Sequence, residues 1–225
     1  MLILGIDTAT KVCSVALTLD GRVLAEQNST DGIAHSRRLL PEIDMLLKTA
    51  KVAKADLDMV AVSMGPGSFT GLRIGLATAE AIAYAQKKFL HGVDTLKALA
   101  FNLQNEDRII SPLIDAQKGN FYQALYQWQE GNLVCLAPTA IVNEEQAWER
   151  IGNRPCVVTG ECAKITALPN NAAMAEEGVR MPLAKSLCAI AEREFDKERD
   201  KIIFGLEPYY IRRSEAEELW EQRHS

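Results

Sequence analysis

Three strands are predicted at the start of the chain. Residues 2–7 form a continuous apolar run that ends at Asp7, and residues 12–19 alternate in part between apolar and small polar side chains. The dipeptide Asp20-Gly21, a strong hairpin signal, separates this second run from Val23-Leu24. The pattern therefore indicates an antiparallel three-stranded meander.

Apolar positions at helical spacing follow the meander. They recur from His35 to Ala50, and Pro41 within this span is tolerated only if the helix begins just before it. Residues 58–63 form a short apolar run that is typical of a strand. A glycine-rich segment, residues 65–71, then leads into a second predicted helix at about residues 72–86.

The same plan returns in the second half of the chain. Ile109–Asp115 is again an apolar run that ends in Asp, and two further apolar runs, Phe121–Tyr126 and Leu133–Leu136, flank the turn Glu130-Gly131. This arrangement predicts a second meander with the same order of strands and turn.

The offset between the two meanders is nearly constant. Asp115 follows Asp7 by 108 residues, and Gly131 follows Gly21 by 110 residues. The alternative is a pair of unrelated hairpins, but an internal duplication explains both offsets. A duplicated meander followed by helices is the plan of actin-like (ASKHA) and ribonuclease-H-like folds. We therefore predict an α/β protein with a duplicated actin-like architecture, in which mixed sheets are flanked by helices.

The chain is expected to divide into two subdomains. A polar link at residues 102–108 separates the two copies. We place the N-terminal actin-like subdomain at residues 1–104 and the C-terminal one at residues 105–225, with the C-terminal segment free to pack back on the first. Further elements are predicted as a helix at residues 144–150, a strand at residues 156–159 and a helix at residues 183–198.

Composition places the chain among cytoplasmic globular proteins. Of its 225 residues 48% are hydrophobic and 24% charged, and no apolar run approaches the roughly 20 residues that a membrane helix needs. The five cysteines are odd in number and contain no Cys-x-x-Cys pair, which argues against a disulfide framework or a zinc site. The formal net charge of −5 makes a large nucleic-acid-binding surface unexpected unless charge is strongly segregated.

The glycine-rich segment is a candidate anion site. A strand that leads through glycines into a helix start gathers free backbone amides where a phosphate can sit. It lacks the Gly-Lys-Ser/Thr ending of a Walker loop and the third glycine of the dinucleotide motif. The alternative is a tight helix start capped by Ser68 or Thr70. The candidate residues of a vestigial phosphate site are Asp7, Gly65, Gly67, Ser68 and Thr70.

A stripe of small residues marks the helix after this loop. Such a stripe lets two helix backbones approach closely, so we expect it to contact a partner helix, with Leu72, Leu76 and Ile82 serving the core. The alternative is that the stripe faces the protein's own sheet. The expected partner interface combines this stripe with the first helix and consists of Leu39, Ile43, Leu46, Gly71, Gly75, Ala79 and Ala83.

Catalytic motifs are lacking. No two of the three histidines are spaced three or four residues apart, and no serine lies in a Gly-x-Ser-x-Gly elbow. We expect no metal site and no catalytic residue. His35, before a helix, is interpreted as a cap or surface residue.

Several segments of the sequence resemble one family over nearly the full length. They are Gly5-Ile6-Asp7-Thr8-Ala9-Thr10, His35-Ser36 with Leu40-Pro41, Gly65 to Gly75, Gly92-Val93 with Leu96, and Asp115-Ala116. They are similar to those of the bacterial TsaB (YeaZ) family, a paralogue of the TsaD enzyme in the pathway that places threonylcarbamoyl on adenosine 37 of tRNA. One departure is Gln117, where the family usually has arginine.

The resemblance implies a scaffold without catalysis. The paralogous enzyme carries a metal-binding histidine pair, and Thr95 and Leu99 stand at the corresponding positions here. A hydroxyl and an alkyl chain cannot replace two imidazoles at a metal. The implied partners are a TsaD-type subunit and the ATPase TsaE, a second copy when the chain is alone, and tRNA indirectly through the complex.

No intrinsic cofactor is implied, although ATP or ADP at the complex interface is compatible with the family. The rival interpretations are a stand-alone metallopeptidase or acyl transferase, which needs the missing histidine pair, and a small actin-like ATPase or kinase. For the latter, only Thr159-Gly160-Glu161 offers a second adenosine motif.

Overall fold

The computed structural model describes residues 1–30, 35–201 and 203–211, and these form two five-stranded sheets with helices. The strands of the first sheet are β1 (Leu2–Asp7), β2 (Cys13–Leu19), β3 (Arg22–Ser29), β4 (Met59–Ser63) and β5 (Phe89–Val93). Those of the second are β6 (Ile109–Asp115), β7 (Phe121–Gln129), β8 (Asn132–Val142), β9 (Cys156–Gly160) and β10 (Ala172–Met174). The helices are α1 (His35–Ala50), α2 (Phe69–Gln86), α3 (Thr95–Phe101), α4 (Glu144–Ile151) and α5 (Ala184–Glu194). The tail 214–225, whose contacts the sequence left open, lies outside the described residues.

Both sheets have the same topology. Their orders are β3-β2-β1-β4-β5 and β8-β7-β6-β9-β10, the second being the first shifted by five strands. In each, an antiparallel meander is extended by a parallel strand beside its first member, β4 beside β1 and β9 beside β6. The predicted duplicated actin-like fold is confirmed.

The two hairpin turns are copies of each other in backbone conformation. Asp20 and Gly21 have φ angles of 47° and 76°, and Glu130 and Gly131 have φ angles of 50° and 77°. Positive φ at both central residues is the requirement of a type I′ turn, whose twist matches that of the flanking strands. The same Xaa-Gly solution therefore closes both meanders.

The copies differ in their helices. α1 and α2 cover one face of the first sheet, and α4 takes the place of α1 on the second. Residues 161–171, between β9 and β10, form turns and irregular segments where the first copy has α2. The second copy therefore lacks the glycine-rich helix.

α3 and α5 lie between the two sheets and pack across the chain division. α5 packs on β1, β2 and β4, whereas α3 packs on β6 and β7. Leu187 and Ile190 of α5 share a core with Ile3, and Leu96 of α3 shares one with Ile110. The predicted boundary between residues 104 and 105 would place α3 and α5 in different subdomains from the sheets that they cover. The subdomains at 1–104 and 105–225 stay a prediction.

α1 is longer at its N-terminal end than Pro41 led us to expect. The prediction that the helix begins just before Pro41 is wrong, because the helix includes His35 and Pro41 is its seventh residue. The ring removes one hydrogen bond to the preceding turn. Burial of Leu39 and Ile43 on the inner face holds the helix together on both sides of the gap.

α5 approaches β1 so closely that only glycine fits at one position. A Cβ on Gly5 would overlap the carbonyl oxygen of Ala184 and the sulfur of Cys188. The amide of Ala184 donates a 2.8 Å hydrogen bond to the hydroxyl of Ser14, which caps the helix start from the neighbouring strand. Gly5 thus allows the contact that joins the last helix to the first sheet.

The substitution Gly5→Val is expected to lower the free energy of unfolding by about 1–3 kcal/mol or more, because the added side chain meets backbone that cannot move aside. Denaturant melts followed by circular dichroism measure the change. Gly178→Ala is the matched control, since an added Cβ there meets nothing within 4 Å, and it should stay within about 0.5 kcal/mol of the parent. Equal losses in both variants would contradict the close-packing explanation.

Candidate functional site

A cleft of about 610 Å³ separates the two halves of the molecule at the ends of β1 and β6. From the first half it is lined by Lys11, His35 and the start of α2, and from the second half by Asp115 and the turn that follows it. Ligands of open α/β sheets bind in such crevices beyond the carboxyl ends of the strands. The cleft is therefore the first place to look for the predicted phosphate site.

The predicted phosphate residues do not all face this cleft. Gly67, Ser68 and Thr70 line it, whereas Asp7 and Gly65 are absent from its lining. Asp7 is fully buried, and the carbonyl of Gly65 accepts a 2.9 Å hydrogen bond from the amide of Thr95. The phosphate assignment of Gly67, Ser68 and Thr70 stays a prediction.

The glycines of the loop serve close packing. A Cβ on Gly67 would overlap Ala9, and one on Gly71 or Gly75 would overlap Thr8. The amide of Ser68 donates to the carbonyl of Ala9 at 2.6 Å, and the hydroxyl of Thr8 donates to the carbonyl of Gly71 at 2.7 Å. The segment after β1 thus occupies much of the space in which a phosphate would approach this backbone.

Ser68 is the N-cap of α2, as predicted by one of the two alternatives for this loop. Its hydroxyl accepts a 3.2 Å hydrogen bond from the amide of Gly71. The amide of Gly71 is therefore hydrogen-bonded within the chain and is not available to an anion.

Asp7 and Asp115 form the same turn in the two copies. The carboxylate of Asp7 accepts a hydrogen bond from the amide of Ala9 at 3.0 Å, and that of Asp115 accepts one from the amide of Gln117 at 2.9 Å. Side-chain acceptance two residues on is an Asx turn. The matching carboxylates therefore stabilise the same turn in the two copies.

The environments of the two carboxylates differ. Burial raises the pKa of Asp7 to about 7, against the opposing hydrogen bonds from Ala9 and Ser63. Asp115 instead lines the cleft and pairs with the ammonium of Lys164 at 2.6 Å. Its amide donates to Glu161, and burial raises the pKa of that glutamate. Only the second carboxylate is available to a ligand in the cleft.

The C-terminal segment crosses the start of α2 beside the cleft. The amide of Tyr209 donates to the carbonyl of Met64 at 2.7 Å. Arg73 donates to the hydroxyl of Tyr210 at 3.0 Å, and its guanidinium lies 3.9 Å from the centre of the Phe69 ring. The segment 203–211 therefore packs on the first half of the molecule.

The residues predicted to contact a partner are buried in the protein's own core. Ala79 and Ala83 share a cluster with Leu4 and Ile6 of the first sheet, and Gly71 and Gly75 lie against Thr8. Leu39, Ile43 and Leu46 of α1 belong to the same cluster. The expectation that Leu39, Ile43, Leu46, Gly71, Gly75, Ala79 and Ala83 form a partner interface is corrected accordingly, because the stripe faces the protein's own sheet.

The outer surface of α1 and α2 was missed from the sequence. On α2 it consists of Ala77, Ala81 and Ala85, flanked by half-buried Ile74 and Ile82. On α1, the side chains of Leu40 and Met45 are 56% and 60% exposed. The signal was present, because alanine also recurs every four residues at 77, 81 and 85. We call these seven residues the outer helix face.

The positions of the lost histidine pair lie inside the molecule. Thr95 is the first residue of α3, and Leu99 is fully buried one turn later against the second sheet. Across residues 1–30, 35–201 and 203–211, no group of three His, Cys, Asp or Glu side chains is arranged to hold a metal ion. Nε2 of His35 donates a 2.9 Å hydrogen bond to the carbonyl of Thr10 at the cleft wall.

None of the helices in the described part of the chain has the length and apolar character to cross a membrane.

Comparisons with known proteins point to one group. The family model "TsaD: tRNA N6-adenosine threonylcarbamoyltransferase" matches residues 23–220. The tRNA threonylcarbamoyladenosine biosynthesis protein TsaB of Bacillus subtilis is 32% identical over 224 residues, which cover 98% of each chain. Its counterpart in Escherichia coli is 33% identical over 225 residues, which cover 96% of each chain.

A solved structure gives the same result. YeaZ from Pseudomonas aeruginosa superimposes with a TM-score of 0.82 at 26% identity. The match covers 93% of this chain and 99% of that one. The chain is therefore similar to this protein in fold over nearly its whole length.

The substitution Asp7→Asn is expected to change the pH dependence of stability. Because the folded pKa lies near 7 and the unfolded value is 3.8, the parent loses stability as pH rises between these values, by at most about 1.4 kcal/mol per pH unit. The variant cannot ionise there and should lose less. Denaturant melts of both proteins from pH 4 to pH 8 measure this difference. Parallel pH profiles would contradict a neutral buried Asp7.

Proposed function

The chain belongs to the TsaB (YeaZ) family of tRNA threonylcarbamoyladenosine biosynthesis proteins, and we propose that its part in that pathway is non-catalytic. In this proposal it pairs with a TsaD-type enzyme in the cytoplasm and stabilises its active form. TsaE joins the assembly, and ATP or ADP binds at the interface of the complex. The observation that carries the proposal is the outer helix face.

The outer helix face is apolar; its three alanines and its two α1 residues are exposed, whereas Ile74 and Ile82 pack in part on the core. Ala77, Ala81 and Ala85 leave a smooth strip on α2, and Leu40 and Met45 project from the neighbouring α1. Apolar side chains left exposed on two neighbouring helices are typical of interaction sites on soluble proteins. Small side chains on one helix also allow another helix to approach closely.

A TsaD-type partner suits this surface. The family model of the transferase matches residues 23–220, a span that contains both α1 and α2. The enzyme therefore has segments equivalent to these two helices. Pairing of like helix pairs resembles the self-complementary interface of a two-fold dimer. The same argument predicts a homodimer when the enzyme is absent.

The two rival enzymatic interpretations differ in how far the described residues support them. A metallopeptidase or an acyl transferase with a bound metal requires ligands where Thr95 and Leu99 stand. An actin-like ATPase is favoured by the size of the cleft and by Lys11 and Lys118 in its lining. Calorimetric titration with ATP and with a divalent metal ion distinguishes both rivals from the scaffold.

The substitution Ala81→Trp is expected to weaken binding to a TsaD-type enzyme roughly tenfold to hundredfold, because a bulky side chain separates the two helix surfaces. Ala81 is exposed, so the variant should melt like the parent. A pull-down with the purified enzyme and a thermal melt measure the two effects. Light scattering of the isolated variant should also show less dimer than the parent.

Two further variants serve as controls. Ala79→Trp changes a fully buried position on the side of α2 that faces the sheet, and it should unfold the protein. Glu149→Trp, at an exposed position on α4, should leave both stability and binding unchanged. Tight binding by Ala81→Trp would show that the interface lies elsewhere.

A further inference from the structure

A second cavity, of about 630 Å³, lies at the C-terminal end of α2. We call it the basic pocket; it is lined by Tyr84, Ala85, Lys87, Lys88, Phe89, Lys197, Lys201 and Ile203. It is separated from the cleft by the length of the helix, roughly 25 Å at 1.5 Å per residue. It therefore belongs neither to the cleft nor to the glycine-rich loop.

Positive charge is concentrated in the basic pocket. Half of its lining residues are lysines and none is acidic, although the whole chain has a formal net charge of −5. Lys88 donates to the carbonyl of Ala55 at 2.7 Å. Within the described residues, no carboxylate forms an ion pair with Lys87, Lys197 or Lys201. Charge is thus segregated at this site, and an anionic ligand fits it.

The lysines from the C-terminal segment are held in place by a buried carboxylate. Asp200 accepts hydrogen bonds from the ring of His91 at 3.1 Å and from Arg199 at 2.9 Å. Its carbonyl accepts the amide of Leu90 at 2.8 Å. Lys197 and Lys201 flank this anchor, so they are brought to the end of α2 by a fixed tertiary contact.

Exposed aromatic rings lie beside the lysines. The Tyr84 side chain is 63% exposed and that of Phe204 59% exposed, and their ring centres are 5.2 Å apart. Phe89, in the pocket wall, packs on Phe195 at 5.0 Å. Large rings left in water next to cations are the combination with which proteins bind single-stranded nucleic acid.

Helix stability explains only part of this arrangement. A lysine near a helix C-terminus interacts favourably with the helix dipole. Lys87, however, has a φ of 54°, a left-handed conformation in which glycine or asparagine is the usual helix end. Lys197 and Lys201 come from another segment and cap no carbonyl of α2 among the described contacts. An anionic ligand explains why Lys87, Lys197 and Lys201 lie together at this end of α2.

We propose that the basic pocket binds RNA, with the lysines on phosphates and with Tyr84 and Phe204 stacked on unpaired bases. Identification of that RNA as the tRNA substrate rests on the proposed function. The inference changes the expectation that tRNA is contacted only through the complex. An acidic protein surface is the other candidate occupant, but it needs no exposed rings and is less well matched to Tyr84 and Phe204.

Fluorescence anisotropy of the purified full chain with a labelled unmodified tRNA transcript, and with a single-stranded oligouridylate, tests the proposal. The variant Lys87→Asn/Lys197→Gln/Lys201→Gln should bind both probes at least about tenfold more weakly. Its slope of log affinity against log salt should fall by roughly 2, at about 0.7 per lost phosphate contact on a single strand. Asparagine is chosen at position 87 because it tolerates the left-handed backbone conformation that Lys87 adopts there.

Tyr84→Ala separates stacking from charge. It should weaken binding by about tenfold with an unchanged salt slope, whereas Tyr84→Phe should bind like the parent. The charge-matched control is Arg22→Gln/Arg37→Gln/Lys48→Gln, which removes the same net charge at exposed positions outside both the cleft and the basic pocket. Equal weakening by both triple variants would mean non-specific attraction and overturn the proposal, as would unchanged binding by the first.

A pull-down with the TsaD-type enzyme distinguishes failure of this inference from failure of the proposed function. The variant Lys87→Asn/Lys197→Gln/Lys201→Gln should still bind the enzyme but bind RNA more weakly. Ala81→Trp should still bind RNA but bind the enzyme more weakly. Loss of the enzyme but not of RNA in the triple variant would identify the pocket as an acidic-protein site and contradict the proposal.

Discussion

The close approach of α2 to the segment after β1 is the contact on which the rest of the first half depends. Gly67, Gly71 and Gly75 have no room for a Cβ, because Thr8 and Ala9 fill the space above them. This contact fixes the rotation of α2 on the sheet. It turns Ala79 and Ala83 inward and leaves Ala77, Ala81 and Ala85 outward. The glycines of the motif therefore serve close packing, and the exposed side of α2 is the opposite one.

The duplication gives two sheets of one topology, but within the described residues the second copy has no counterpart of α2. The second copy has turns at residues 161–171, where the first has α2. In the part of the chain that the structure describes, the helix pair formed by α1 and α2 is therefore not repeated on the second sheet. The exchange of α3 and α5 between the halves joins the two sheets around one central layer, so this surface is carried on a shared core. Such an arrangement suits a subunit that presents one face to an enzyme.

Much of the fold was predictable from residue patterns. Both meanders, their Xaa-Gly turns and the C-terminal end of α1 follow from apolar runs and helical spacing. The side of α2 that faces the sheet could not be predicted. The helix carries two alanine-containing stripes of the same period, and periodicity does not say which one is buried. The prediction at Pro41 failed because tertiary burial outweighs one lost hydrogen bond. The basic pocket was not predictable, since it joins residues 84–89 to Lys197, Lys201 and Ile203 through the contact between His91 and Asp200.

Hydrogen exchange, followed by mass spectrometry, tests most directly whether the outer helix face and not the cleft carries the function. The full chain is compared alone, under conditions where it is monomeric, and in complex with a TsaD-type enzyme. Peptides from His35–Ala50 and Phe69–Gln86 should exchange more slowly in the complex, because partner contact suppresses local opening. Peptides covering residues 114–122 at the cleft should be unchanged. Protection confined to the cleft, with both helices unaffected, would contradict a docking role for α1 and α2.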